Sequence, residues 1–152
     1  MQLARAEGGR LRRDHASDLR PILDLVRSEL DRAPDKDRID CTLPPGPVMS
    51  DIDPDAFAIV ARNLIENALR HGTGTVQVDL THSAIRVVNA APALPPETLA
   101  SLTHRFERGQ SDVEGSGLGL SIVQAIADGA QGRLTLSAPT GQFQAVFGLP
   151  GT

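Results

Sequence analysis

Residues 63–71 read Asn63-Leu64-Ile65-Glu66-Asn67-Ala68-Leu69-Arg70-His71, and further along the chain residues 115–123 read Gly115-Ser116-Gly117-Leu118-Gly119-Leu120-Ser121-Ile122-Val123. Asn63 and Asn67 are four apart, so on a helix they stack on one face, with Glu66 and Arg70 one step round. Val60, Leu64, Ile65, Ala68 and Leu69 make the remaining surface apolar. This predicts a core helix that nonetheless brings carboxamide oxygens and a cation close together. Such oxygens suit Mg²⁺, which takes one or two side chains from the protein and completes its shell with water and phosphate. Taken alone, the helix is better read as a packed element whose asparagines bond the backbone and whose Arg70 and His71 are solvated.

The second stretch changes that balance. Three alternating glycines ahead of an apolar helix leave backbone N–H groups bare at a positively polarised helix N-terminus, where a polyphosphate is stabilised. The loop lacks the Gly-Lys-Ser/Thr of a P-loop and the strand-turn-helix setting of a dinucleotide fingerprint, so by itself it is a weak indicator.

Composition sets bounds. At 152 residues the chain is one domain long, enough to bury about 70% of its unfolded surface around a single core. The net charge of -4, with Lys and Arg scattered, gives no basic stripe and argues against nucleic acid as a partner. The single cysteine, Cys41, cannot form an internal disulfide, and its neighbours predict a buried strand position. No run approaches the length of a membrane span, and the start lacks a signal-peptide core.

Periodicity gives the organisation. Ser17 is read as the cap of a helix in which Leu19, Ile22, Leu23, Val26 and Leu30 recur at three- and four-residue spacing, ended by Ala33-Pro34-Asp35. Ile39–Leu43 and Val48–Asp51 read as a hairpin across Pro44-Pro45-Gly46-Pro47. Asp53-Pro54 starts the asparagine helix and Gly72 stops it. Val76, Val78 and Leu80, then Ile85 and Val87, predict a second hairpin about His82-Ser83. A helix from about Gly117 to Asp128 precedes final strands with Leu134 and Leu136, then Phe143, Ala145, Phe147 and Leu149. The expected fold is an α/β two-layer sandwich, with a mixed, largely antiparallel sheet packed against about three helices. Residues 95–114 are the longest stretch without strand or core-helix periodicity and read as a functional loop over the site.

The ordered set of motifs resembles the ATP-binding catalytic domain of two-component sensor histidine kinases, in the superfamily that includes gyrase, Hsp90 and MutL. Asn63–His71 is similar to the family's N box, Val88-Asn89-Ala90-Ala91-Pro92-Ala93-Leu94-Pro95 to its first glycine box, Leu102–Gly109 to its F box and Gly115–Leu120 to its second glycine box. The resemblance implies the Bergerat-type ATP-binding fold. It also implies Mg-ATP as cofactor, with Asn67 as the metal ligand, Asn63 orienting metal or water, and Arg70 and His71 meeting phosphate or ribose. Asn89 would face the adenine, with Ala91, Ala93 and Leu94 beside it. Gly115, Ser116, Gly117, Leu118, Gly119 and Leu120 would line the phosphates. The loop at about 95–114 would be a lid, with Phe106 as its anchor and Arg105 and Arg108 reaching the phosphates. Glu66 is the candidate base, or else pairs with Arg70 away from the site.

Several departures matter. The family's first glycine box carries an aspartate followed by glycines, where this chain has Asn89, Ala91 and Ala93. Asn89 still accepts through its amide oxygen, but without the added strength of a charged acceptor. Hydrolytic relatives carry a glutamate where Asn63 stands, so the resemblance implies phosphoryl transfer rather than dedicated hydrolysis. Met1–Glu7 resembles the end of the preceding dimerisation and phosphoacceptor helix, which divides the chain into 1–14, helix tail and linker, and 15–152, the catalytic domain. The accepting histidine is expected outside the chain, because His15, His71, His82 and His104 all lack the long-helix acidic context it needs. The expected partners are that domain and a response-regulator receiver. The fragment would be monomeric and the full-length protein a homodimer. This domain is expected in the cytoplasm, with the full-length protein anchored in a bacterial inner membrane. The alternatives are another ATPase or serine kinase of the superfamily, and a docking module whose nucleotide site has decayed.

Overall fold

The computed structural model describes residues 11–90, 118–138 and 141–150. In chain order these form β1 (Arg12–Asp18), α1 (Arg20–Leu30), β2 (Ile39–Thr42), β3 (Met49–Ile52), α2 (Pro54–His71), β4 (Thr73–Leu80), β5 (Ala84–Ala90), α3 (Leu118–Ala130), β6 (Arg133–Ser137) and β7 (Gln142–Gly148).

Five strands make the main sheet in the order β2-β4-β5-β7-β6, in which β2 runs parallel to β4 and the other pairs are antiparallel. A parallel pair needs a long crossover, and here it contains α2, which is thereby laid across the sheet. The register aligns three inward rows. Leu80, Ile85, Phe147 and Leu134 form one, and Cys41, Val78, Val87, Ala145 and Leu136 the next. The third runs Ile39, Val76, Asn89, Phe143. The opposite face carries Gln77, Asp79, Arg86 and Gln144, with Arg86 bonded to both Asp79 and Gln144. A sheet apolar on one face and polar on the other takes a single helical layer, which makes the two-layer sandwich.

That layer is α1, α2 and α3 side by side. Contacts of α1 with β2 and of α3 with β6 put the outer helices over opposite edges, with α2 between them over β4 and β5. The stripe Phe57, Val60, Ala61, Leu64, Ile65 and Ala68 of α2 is fully buried against the sheet. Truncating a core phenylalanine such as Phe57 typically costs about 3–5 kcal/mol, so this stripe is a major part of what holds the layers together.

Four expectations need correction. Residues 39–43 and 48–51 do form strands, but not a hairpin: β2 joins β4, whereas β3 pairs antiparallel with β1 in a separate two-stranded ribbon. The cause lies just past the proline turn. Val48 donates its N–H to the Asp18 carboxylate at 3.0 Å, and its carbonyl accepts from Leu19 N–H at 2.9 Å, which draws β3 toward β1. Ser17 does not cap α1, because it lies in β1 paired with Ser50. The cap position is Leu19, which offers no side-chain bond, and Asp18 just before it accepts the Arg20 N–H at 3.1 Å. Residues 12–14, expected in the linker, also belong to β1, tied down by Arg12 to Asp51 at 2.9 Å and Arg13 to Asp53 at 3.0 Å. Cys41 is half-buried rather than buried, and burial pushes its thiol up to about 11, which keeps it protonated and inert.

The Arg20 guanidinium, helped by the Val48 N–H, holds the Asp18 carboxyl at about 2, below its ordinary 3.8. A depressed carboxyl stabilises the fold above its unfolded pKa, and that stabilisation disappears as pH falls through the folded value. The melting-temperature gap between wild type and Asp18→Asn should therefore be constant above pH ~5 and close progressively from pH ~4 towards ~2; thermal denaturation across that range checks it.

Candidate nucleotide site

Helix α2 is well terminated. The Asp53 side chain accepts the Asp55 N–H at 3.1 Å, Pro54 occupies the first turn, and Arg70 and His71 sit in the last turn where cations complement the helix dipole. Gly72 closes the helix, its N–H reaching the Ala68 carbonyl at 2.9 Å.

At 100° per residue, the flanks of α2 are distinct. Arg62 bonds Glu29 of α1, and Glu66, Leu69 and Arg70 line an open pocket of about 410 Å³ with Arg32 and Asp35. That is the α1 side. Asn67 falls on the other flank, towards α3, with Asn63 one turn before it nearer the outer face. The Asn63 amide nitrogen donates to the Ile59 carbonyl at 2.8 Å, leaving its amide oxygen free of any described partner. Asn67 is half-buried, and its side chain bonds to none of the described residues. Glu66 and Arg70 stay one step round the helix from the asparagines, reach the pocket beside α1, and form no ion pair with each other among the described residues.

Asn89 is the anomaly of the core. It is 3% exposed, the only polar member of the three inward rows, flanked by Val76 and Phe143. Its amide nitrogen donates to the Ala90 carbonyl at 3.2 Å, and its amide oxygen accepts from no described residue. Leaving a buried polar group unpaired costs about 1–3 kcal/mol, so this oxygen needs a donor partner from beyond the described residues. The carboxamide packs under the end of α2: a Cβ on Gly72 would lie 2.3 Å from its nitrogen and 2.8 Å from its own Cβ. Gly72 has an extended backbone, so it is this close approach that demands glycine.

Topology gathers the remaining parts at the same end of the sheet. There α2 finishes and β4 begins, β5 finishes at Ala90, and β7 begins opposite it at Gln142. Because α3 returns into β6 through Gln131 and Gly132, it starts towards that end as well. Leu120 of α3 is buried, and Leu118 and Gly119 open the helix. Ala91, Ala93, Leu94, Arg105, Phe106, Arg108, Gly115, Ser116 and Gly117, with the loop 95–114, lie outside the described residues.

This end sets neutral amide oxygens beside the Arg70 charge. Burial, and then the Arg70 charge, push the His71 imidazole below its ordinary pKa, so at neutral pH it exchanges hydrogen bonds without adding a cation. The amide oxygens of Asn63 and Asn67, free of described partners, are hard donors of the kind Mg²⁺ accepts alongside phosphate and water. Among the described residues no group of three or more His, Cys, Asp and Glu forms a metal cage, so a metal here would depend on a ligand's own oxygens. Two features escaped sequence reading. One is the burial of Asn89 in an apolar row. The other is Arg38, whose guanidinium bonds the carbonyls of Leu69 at 3.2 Å, Gly72 at 3.2 Å and Gly74 at 2.9 Å. Only the solitary polar residue in an alternating strand hinted at the first.

Known proteins agree with this geometry. A family model described as histidine kinase-, DNA gyrase B- and HSP90-like ATPase matches residues 52–152. The probable sensor histidine kinase TcrY of Mycobacterium tuberculosis is 31% identical over 97% of this chain and 33% of its own length. The signal transduction histidine-protein kinase AfsQ2 of Streptomyces coelicolor is 32% identical over 85% of this chain and 25% of its own. The chain thus spans a third or less of these curated relatives. The solution structure of the histidine kinase domain of the Escherichia coli osmosensor EnvZ superposes with a TM-score of 0.66 at 27% identity, over 91% of this chain and 90% of that one. With the two-layer fold, the paired asparagines of α2 and these matches together, the chain belongs to the histidine kinase-, DNA gyrase B- and HSP90-like ATPase family, and its relatives are sensor histidine kinases.

Proposed function

We propose that this chain is the ATP-binding catalytic domain of a sensor histidine kinase, which transfers the γ-phosphoryl of Mg-ATP to a histidine outside it for relay to a response-regulator aspartate. The observation that carries the reading is Asn89, a buried carboxamide whose oxygen lacks a described partner, set under the end of the helix that bears Asn63 and Asn67. An adenine amino group is the kind of donor that would satisfy it.

In this reading Asn67, with Asn63 beside it, holds Mg²⁺, which when bound neutralises charge on the phosphates. His71, neutral at physiological pH, meets the ribose or a phosphate, with Arg70 near the same turn. Gly115, Gly117 and Gly119 offer backbone N–H groups to the phosphates, and residues 95–114 supply Arg105, Phe106 and Arg108. A histidine nitrogen attacks the γ-phosphorus, the bond to the β–γ bridging oxygen breaks, ADP departs and the imidazole N–H proton is released. Positioning and charge stabilisation are what such a transfer asks of a protein. Glu66, on the α1 side of its helix, has no contact that favours it as a base, and Asn63 supplies none. Both features suit transfer to a protein histidine better than activation of water.

Residues ahead of β1 would continue a dimerisation helix, and the full-length protein would be a homodimer. No helix among the described residues is long and apolar enough to cross a membrane; in this reading the domain works in the cytoplasm and an anchor lies elsewhere in the full-length protein.

Calorimetric titration with ATP should give saturable, Mg²⁺-dependent binding, and Asn67→Ala should weaken it at least about tenfold, or about 1.4 kcal/mol. Incubation with a separately supplied phosphoacceptor domain should label that domain's histidine and leave His15 unlabelled. Binding without transfer would favour another superfamily ATPase or serine kinase. Failure to bind at millimolar ATP would favour the decayed docking module.

A further inference from the structure

Arg38 stands between α1 and β2, and its guanidinium bonds Asp35 and the segment running from the end of α2 into β4. Nε donates to the Gly74 carbonyl at 2.9 Å, one terminal nitrogen to Asp35 Oδ1 at 2.6 Å and the Leu69 carbonyl at 3.2 Å, and the other to the Gly72 carbonyl at 3.2 Å. Its backbone is fixed too: the Arg38 N–H donates to the Asp35 carbonyl at 3.1 Å and its carbonyl accepts from Val76 at 2.7 Å. The side chain is 22% exposed, so these bonds are partly shielded from solvent. Leu69 carries one of the carbonyls left unpaired at a helix C-terminus, where a cation is favoured. Gly74 lies in the left-handed region at φ 71, inside an irregularity in the β4–β5 register between Thr73 and Val76. One planar fork thus ties the last turn of α2, its glycine stop and the first residues of β4 to the start of β2. A lysine, with a single nitrogen, cannot span those acceptors.

Gly72 is the member of this set that touches the site. The Arg38 bond fixes the peptide whose α-carbon approaches the Asn89 carboxamide more closely than any side chain allows. The same clamp holds the turn that carries Asn67, Arg70 and His71. We infer that Arg38 is a positioning residue of the nucleotide site: it sets the Asn89 carboxamide through Gly72, and the last turn of α2 through Leu69. The inference rests on the function proposed above, since Arg38 itself is directed at Asp35 and backbone carbonyls rather than at a ligand.

Arg38→Ala and the milder Arg38→Gln test this beside Arg12→Ala, which removes an arginine fork from the β1–β3 ribbon. Two readouts apply: the side-chain amide resonances of Asn89 in the nucleotide-free protein, and ATP affinity measured well below every melting temperature. Both Arg38 variants should shift or broaden the Asn89 resonances and weaken ATP binding roughly tenfold. Arg12→Ala should lower the melting temperature and leave both readouts unchanged. Added guanidinium should partly restore the Asn89 resonances in Arg38→Ala. Wild-type resonances and affinity in Arg38→Gln, with only a lowered melting temperature, would reduce Arg38 to a structural brace and overturn the inference. Loss of ATP binding in the wild type itself would instead remove the nucleotide reading, and the Asn89 resonances would still decide whether Arg38 positions that carboxamide.

Discussion

Everything at the site depends on how α2 is wedged between two helices over one face of a sheet. Its inner stripe from Phe57 to Ala68 is buried, so its roll about its own axis is fixed by apolar packing that tolerates little rearrangement. Once that roll is fixed, the outcome for each polar residue follows from its angle. Arg62 and Glu66 go to the α1 side and Asn67 to the α3 side, while Asn63 and Arg70, seven apart, share the outer face. The parallel pairing of β2 with β4 fixes where α2 ends, because the chain must come down from the helix directly into β4 beside β2.

At that end the fold tolerates something a pure packing problem would avoid. The inward row Ile39, Val76, Asn89, Phe143 would be continuous and apolar but for one carboxamide, buried to 3% exposure. Natural cores accept a buried polar group where something besides folding needs it. The glycine at position 72 and the Arg38 fork behave consistently with this: one leaves room for the carboxamide, and the other holds that room in place. Because Asn89 is neutral, a bound base would meet it by an ordinary hydrogen bond rather than a charge-assisted one.

Local pattern carried much of this architecture in the sequence. The periodicity of α2, the Asp53-Pro54 start, the Gly72 stop and the alternation of Val76, Val78, Leu80, Ile85 and Val87 all had local physical causes, and all appear in the structure. The helix after the glycine loop runs to Ala130, two residues beyond the expected end. What local pattern lacked was anything held by distant polar contacts. β1, Arg-Arg-Asp-His-Ala-Ser-Asp, shows no apolar alternation, and is a strand because Arg12 and Arg13 reach Asp51 and Asp53. The proline turn looked like a hairpin because the two strands beside it are short and adjacent, yet Asp18 claims Val48 from across the ribbon. Arg38 was invisible for the same reason, its acceptors being carbonyls of residues 69, 72 and 74. At the site, the asparagine pair and Asn89 were legible as residue types. The side to which Glu66 turns depends on where α1 packs, which no motif encodes.

The central claim is that Asn89 is kept for a ligand at the expense of the core. Asn89→Leu measures this directly, by thermal denaturation without nucleotide and by ATP titration of the same protein. An apolar side chain of similar size removes an oxygen that no described residue satisfies, so the nucleotide-free variant should melt at or above the wild-type temperature while ATP binding is lost. A variant that melts well below wild type and still binds ATP as tightly would mean that Asn89 serves the fold and the base is read elsewhere.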